Sequence, residues 1–414
     1  MMRKMASREI SENSRARIGF FKGNLIIRDG AVIEAEEGYE MITIDGRIRC
    51  HGDVTFSSSL KTRLLRGRDG DLIVEGNLEV DGYISIKDGS LIVLGNIKAR
   101  FIDVDKALRV EGNFEAREVS VGGRVIVNGS IVCGEISIGG ALRCKEKLSA
   151  ETVSVGGTLE CKEIEVDEIS VGGTVTVGRG LVREEVSVGG SLDVEGDFKA
   201  RRVDVGGTVK IRGDSEIGDL DVGGVVDIAG FLSSKRIDVG GTLRIQGNLE
   251  AATIDVGGTI EVGGDLKISS VLNVGGMCAV EGIISGGIVN VGGSLKARRI
   301  EVKSISVGGP LETKEGLWTT YVELGEKCRV KGIIVADEVY LGERAKIEDI
   351  YAEFLEAEER CLFRNIYADS VSLGDLCQVS GEVLYTESLS VGRDVIFGKE
   401  PRKVGKIPRP EKSS

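Results

Sequence analysis

Hydrophobic residues recur along the chain in pairs whose two members are separated by a single residue, usually a polar one. This alternation is typical of β-strands, in which successive side chains point to opposite faces. Neighbouring pairs begin about six residues apart, and three pairs make one repeat of about 17 residues. The pattern predicts an all-β, single-stranded parallel β-helix (a β-solenoid), in which each repeat is one coil with three faces.

Glycine pairs mark one corner of the predicted coils. Twelve aliphatic-Gly-Gly triplets follow one another between Val121 and Gly309, at intervals of 16 to 18 residues. Glycine suits a corner because it reaches left-handed φ values and lets backbones stack closely. The residue before each glycine pair is expected to form an interior ladder that stabilises the fold. Its representative members are Val121, Val155, Val188, Val205, Val239 and Val256.

The same repeat continues on both sides of the glycine-rich block. It predicts about 21 coils from residue 41 to residue 398, with residues 57–63 looped out of an early coil. The predicted parts are a basic N-terminal tail (1–17), the β-helix (18–398) and a basic, proline-containing C-terminal tail (399–414). The β-helix itself divides into irregular N-terminal coils (18–121), Val-Gly-Gly coils (122–316) and aromatic-richer coils (317–398).

The net charge of -12 is unevenly distributed. The two predicted tails carry +3 and +4, so the remainder of the chain carries -19. An acidic body argues against binding to nucleic acid. We expect the basic tails mainly to keep the chain soluble; the alternative is that they contact an acidic surface, such as a neighbouring copy or an anionic membrane.

The eight cysteines lack any CxxC pair, and most fall at inward positions of the repeat. Cys144 and Cys161 share one position in adjacent coils, while Cys328, Cys361 and Cys377 share another. Stacked thiols can form a disulfide or hold a metal, but at inward positions we expect them to pack as small, reduced hydrophobic groups. We therefore expect a cytoplasmic protein with no metal and no cofactor.

An outward column of short polar residues stands two positions before the corner glycines. In four successive coils it consists of Asp204, Asp221, Asp238 and Asp255. Such a strip could bind cations. Elsewhere the column holds serine or asparagine, so we expect these side chains to hydrogen-bond the corner amides instead.

No catalytic group is predicted. The single histidine, His51, follows the inward Cys50 and is expected at a surface or corner. The sequence has no phosphate-binding loop and no metal-ligand spacing. The short, uniform coils leave little room for a site built from loops. We therefore expect that the protein is not an enzyme, with a hexapeptide-repeat acyltransferase as the least favoured alternative.

Several coils near the C-terminus resemble those of bactofilins, the polymer-forming cytoskeletal proteins. The resemblance is carried by ELGEKCRVKG (323–332), VYLGERAKI (339–347) and VGRDVIF (391–397), and it is strongest over residues 317–398. It implies a right-handed three-sided β-helix that polymerises end to end without nucleotide, as a cytoplasmic and often membrane-associated scaffold. Phe397 matches the apolar aromatic residue of the family's terminal coil, although the chain is far longer than the family's β-helical cores.

Solenoid physics also favours assembly at the ends, because the last coil of a solenoid leaves an unpaired strand edge. The predicted assembly residues are Val391, Val395 and Phe397 in the last coil. The leading hypothesis is therefore a structural scaffold whose partner is another copy of itself. The alternative is a β-solenoid that does not polymerise and instead presents its side-chain ladders to a protein or glycan.

Overall fold

The structure is a computed structural model that describes residues 6–408 and residue 410. Every strand pairing that it resolves is parallel, and the described residues contain no helix. The prediction of an all-β parallel solenoid with about 17 residues per coil is confirmed. The chain forms about 23 coils rather than 21, because residues 7–40 also form strands.

The chain divides into an N-terminal unit, Met1–Gly206, and a C-terminal unit, Gly207–Ser414, at a point inside the predicted Val-Gly-Gly coils. The strands of the N-terminal unit are β1 (Ser7–Ile10), β2 (Arg15–Arg17), β3 (Phe20–Phe21), β4 (Asn24–Ile27), β5 (Ala31–Glu34), β6 (Met41–His51), β7 (Val54–Phe56), β8 (Ser59–Arg68), β9 (Leu72–Val74), β10 (Leu78–Lys87), β11 (Leu91–Val93), β12 (Ile97–Val104), β13 (Ala107–Val110), β14 (Phe114–Glu115), β15 (Glu118–Val121), β16 (Arg124–Val127), β17 (Ile131–Val132), β18 (Glu135–Ile138), β19 (Ala141–Val155), β20 (Thr158–Val171), β21 (Thr174–Val188), β22 (Ser191–Val194) and β23 (Phe198–Val205).

The strands of the C-terminal unit are β24 (Thr208–Ile211), β25 (Ser215–Val222), β26 (Val225–Ile228), β27 (Leu232–Val239), β28 (Thr242–Ile245), β29 (Leu249–Val256), β30 (Thr259–Val262), β31 (Leu266–Val274), β32 (Met277–Val291), β33 (Leu295–Val307), β34 (Leu311–Trp318), β35 (Tyr321–Leu324), β36 (Arg329–Val335), β37 (Glu338–Leu341), β38 (Lys346–Ala357), β39 (Leu362–Leu373), β40 (Gln378–Val379), β41 (Val383–Val391), β42 (Ile396–Phe397) and β43 (Arg402–Lys403).

Each strand pairs with the equivalent strand one coil away, which produces three stacks of strands. In the N-terminal unit β15 pairs with β18, β16 with β19, and β14 with β17. Residues with the same repeat position are therefore direct neighbours, as Val121, Ile138 and Val155 are. All six valines named for the interior ladder are buried, with no more than 2% of their surface exposed.

The early coils differ from the predicted arrangement in one place. Residues 57–63 do not loop out, because β8 pairs with β6 from Ser59 opposite Met41 onward. The extra residues of this region instead lie at 35–40, where the backbone turns and Tyr39 N donates to Glu36 O at 2.9 Å. The sequence therefore indicated an insertion but assigned it to the wrong segment.

Candidate functional site

The last complete coil of the C-terminal unit exposes residues that occupy inward positions. Val391 pairs with Leu373, whose side chain belongs to the core and is only 2% exposed. Val391 itself is 46% exposed. The two residues have the same repeat position, so the difference arises because no further coil among the described residues covers Val391.

The other two predicted assembly residues lie on the same coil. Phe397 pairs with the buried Val379, while Val395 precedes Ile396, whose amide donates to Cys377 O at 2.9 Å. Both side chains are half-buried, whereas Val379 and Cys377 one coil earlier are buried. The structure therefore places all three predicted residues together on the coil that ends the stack.

Two exposed apolar residues near this edge were not predicted from the sequence. Ile396 points outward on the last coil and is 59% exposed, where equivalent positions of other coils usually carry charge. Leu376 is also exposed and has a φ of 62°, a backbone conformation that leucine rarely adopts. The available signal was an apolar residue at a position that other coils fill with polar ones.

The backbone at this edge is only partly paired. Within the described residues, β42 and the end of β41 pair only with the preceding coil. Free N–H and C=O groups on such an edge can accept another strand. The C-terminal coil therefore combines an uncovered apolar core with an open hydrogen-bonding edge.

The third face of the last coil is covered by residues that we assigned to the C-terminal tail. β43 pairs with Leu384 and Tyr385, and Val404 N donates to Tyr385 O at 2.8 Å. Lys399 bonds Glu382 at 2.9 Å and holds the pKa of that carboxyl below its ordinary value. The prediction of a separate tail is wrong for residues 399–407, of which Ile407 is buried. Residue 409 and residues 411–414 lie outside the described residues.

The N-terminal edge has a different chemistry. The assignment of residues 1–17 to a tail is wrong for residues 7–17, which form β1 and β2 rather than a tail or helix; residues 1–5 lie outside the described residues. Arg8 occupies the position paired with the buried Leu25 and is exposed. Arg17 pairs with Glu34 at 3.2 Å. A charged residue therefore stands at an inward position of the first coil, whereas the last coil has apolar residues there.

The aspartate column does not serve the corner amides as expected. In the coil of Asp255, Gly257 N donates to Val239 O at 3.0 Å and Gly258 N to Gly241 O at 3.1 Å, so backbone atoms of the preceding coil satisfy the corner. In the C-terminal unit Asp221, Asp238 and Asp255 stack in register. Among the described residues, no group of three or more His, Cys, Asp or Glu side chains is arranged to hold a metal ion.

All eight cysteines are buried and unpaired by disulfides. Cys144 and Cys161 are in register on adjacent strands. Cys361 and Cys377 also lie on adjacent coils, and their mutual hydrogen bond raises the pKa of Cys361 and lowers that of Cys377. Cys328 is separated from this pair by the coil that contains Ala345.

Comparisons with protein families, curated proteins and solved structures gave no match to the chain. Across residues 6–408 and 410, we find no helix of the length and apolar character needed to cross a membrane.

Proposed function

We propose that the protein is a structural scaffold that polymerises end to end without nucleotide, using the apolar edge of its C-terminal coil. The observation that carries this proposal is the exposure of Val391, 46% against 2% for Leu373 at the same repeat position. Covering one such valine with another coil would contribute roughly 1 kcal/mol. Additional backbone hydrogen bonds along the open strands would add to this contact.

The resemblance of residues 317–398 to bactofilin coils supports the same function. It accounts for an apolar aromatic residue, Phe397, on the terminal coil and for assembly without nucleotide. Under this proposal the protein acts in the cytoplasm and its principal partner is a second copy of the chain.

Sedimentation velocity over a range of concentrations, combined with negative-stain microscopy, tests the proposal. We expect the parent to form filaments and the double variant Val391→Asp/Ile396→Asp to remain monomeric, because charges at the edge oppose burial against a neighbour. Val132→Asp is the matched control, since Val132 is 56% exposed on a lateral face of the N-terminal unit. This control should assemble like the parent.

A parent protein that stays monomeric at the highest concentration and forms no filaments would contradict polymerisation. It would favour the alternative of a solenoid that binds a protein or glycan through its side-chain ladders. Circular dichroism of both variants establishes that any loss of assembly does not result from unfolding.

A further inference from the structure

An unusual concentration of basic side chains lies on one outer face of the N-terminal unit. It is formed by the second halves of β6, β8 and β10. A groove of about 370 Å³ runs over these strands. We call it the arginine groove and define it by Arg49, His51, Arg66, Arg68, Tyr83 and Ser85, which line it together with Cys50, Gly67 and Lys87.

The register of the strands stacks basic side chains directly on one another. Arg49 lies opposite Arg66, and Arg66 opposite Ser85. His51 lies opposite Arg68, which in turn lies opposite Lys87. Like charges facing each other across neighbouring strands destabilise a sheet. This arrangement is therefore unfavourable for the isolated protein.

At other outward positions opposite charges face each other across adjacent coils. Arg143 faces Glu160 at 3.0 Å, and Arg244 bonds Glu261 at 2.8 Å. In the groove, only Lys87 is neutralised, by Asp103 at 2.8 Å and Asp105 at 3.0 Å. Within the described residues Arg49, Arg66 and Arg68 make no ion pair, and no carboxylate lines the groove. Three exposed guanidinium groups thus remain uncompensated in a chain whose net charge is -12.

We propose that the arginine groove binds a compact phosphate-bearing anion. Guanidinium groups match phosphate oxygens with paired, charge-assisted hydrogen bonds. A phosphomonoester carries close to two negative charges, so it neutralises this cluster better than a single carboxylate does. The hydroxyl of Ser85 lies in the same column as Arg49 and Arg66 and supplies a further donor.

The coils beside the groove limit the size of the ligand. In the column of Arg49 and Arg66, Ser85 is followed by Asp103 one coil further along. In the column beside it, the following coils carry Glu118 and Glu135. On the N-terminal side of the groove, Arg28 forms a salt bridge with Glu9 at 2.7 Å. A long polyanion would meet these carboxylates, so the charge pattern selects a short ligand. A soluble phosphorylated molecule and a lipid headgroup share this chemistry.

Isothermal titration calorimetry with inorganic pyrophosphate tests the site directly. Co-sedimentation with vesicles distinguishes a soluble phosphorylated ligand from a lipid headgroup. The vesicles contain phosphatidylcholine with or without phosphatidic acid. The variant is Arg49→Gln/Arg66→Gln, and its matched control is Arg117→Gln/Arg124→Gln, which removes the same charge from exposed positions outside the groove. We expect pyrophosphate to bind the parent and the control, and to bind the groove variant at least about tenfold more weakly.

Additional binding to vesicles only when they contain phosphatidic acid would support a lipid headgroup, and pyrophosphate binding alone would support a soluble ligand. Equal affinity of the two double variants, or no binding of any probe to the parent, would overturn the proposal. Tight binding of single-stranded RNA that depends on Arg49 and Arg66 would also overturn it, since it would show a long polyanion. Because the groove lies in the N-terminal unit, these results do not depend on assembly through the C-terminal edge. The groove variant should melt no lower than the parent, since it loses a repulsion.

Discussion

At the scale of single residues, Asp349 is a carboxylate that the coils hold almost completely buried. Arg364 Nε donates to its Oδ1 at 2.8 Å, and Asn365 Nδ2 donates to the same oxygen at 2.9 Å. The Arg364 guanidinium is the main reason that the pKa of Asp349 lies below its ordinary value. A buried carboxylate that keeps its charge must be compensated in this way.

We expect Asp349→Asn to destabilise the protein at neutral pH by about 1–2 kcal/mol, because the charge-assisted bonds from Arg364 are lost. Since the folded-state pKa is lowered, ionised Asp349 stabilises the fold above the unfolded-state value of about 3.9. This contribution disappears as the pH falls through the still lower folded-state pKa. Melting temperatures of parent and variant should therefore differ at neutral pH and converge in acid.

The control for this measurement is Asp255→Asn, a change of the same chemistry at an exposed position in the same unit. It should leave the melting temperature nearly unchanged at every pH. If the difference in melting temperature between the parent and Asp349→Asn stayed the same in acid, the charge of the carboxylate would not be the stabilising feature.

At the scale of the coil, the glycine pairs are required for close stacking rather than for left-handed backbone. At Gly156 and Gly157 φ does not lie in the left-handed region. A Cβ added at Gly156 would lie 2.2 Å from Gly139 O, and one at Gly157 would lie 2.6 Å from Gly140 O. The expectation of a close approach was therefore correct at this corner, while the expectation of positive φ was wrong.

We expect Gly156→Ala to lower the free energy of unfolding by about 1–3 kcal/mol, because the new methyl group meets a backbone carbonyl that other strands hold in place. Chemical denaturation followed by circular dichroism measures this change. Gly405→Ala is the control, since a Cβ there meets no atom within 4 Å and the residue has no left-handed φ. Equal stability of the two variants would mean that the corners separate easily enough to accept a side chain.

The repeat made the fold predictable because a fixed interval of about 17 residues determines which side chains face each other. It failed at residues 7–17, where the coils lack glycine pairs, so β1 and β2 were taken for a tail. Val391 was predicted from its column of inward residues, whereas Ile396 was not predicted, because it points outward and differs from its column only by being apolar. The arginine groove was also missed, because Arg66 and Ser85 become neighbours only through a bulged pairing of β8 with β10.

At the scale of the whole molecule, the two ends of the chain present different surfaces. The first coil has Arg8 at an inward position and salt bridges such as Arg17–Glu34. The last coil has the apolar Val391 and Phe397 there, with one of three faces covered by β43. An uncovered apolar surface of this kind favours burial against a neighbouring copy, so the C-terminal coil is the more favourable site for assembly.

Residues 399–407 should therefore regulate assembly, because they cover the third face of that coil. Truncation after Gly398 removes β43 and the buried Ile407, and it uncovers Leu384 and Tyr385. We expect the truncated protein to assemble at a lower concentration than the parent, measured by sedimentation velocity at physiological salt, where the charges removed with the segment are largely screened. Truncation after Pro410 is the control, since it keeps β43 and Ile407 and removes one acidic and one basic residue. Weaker assembly after truncation at Gly398 would show instead that β43 belongs to the contact between copies.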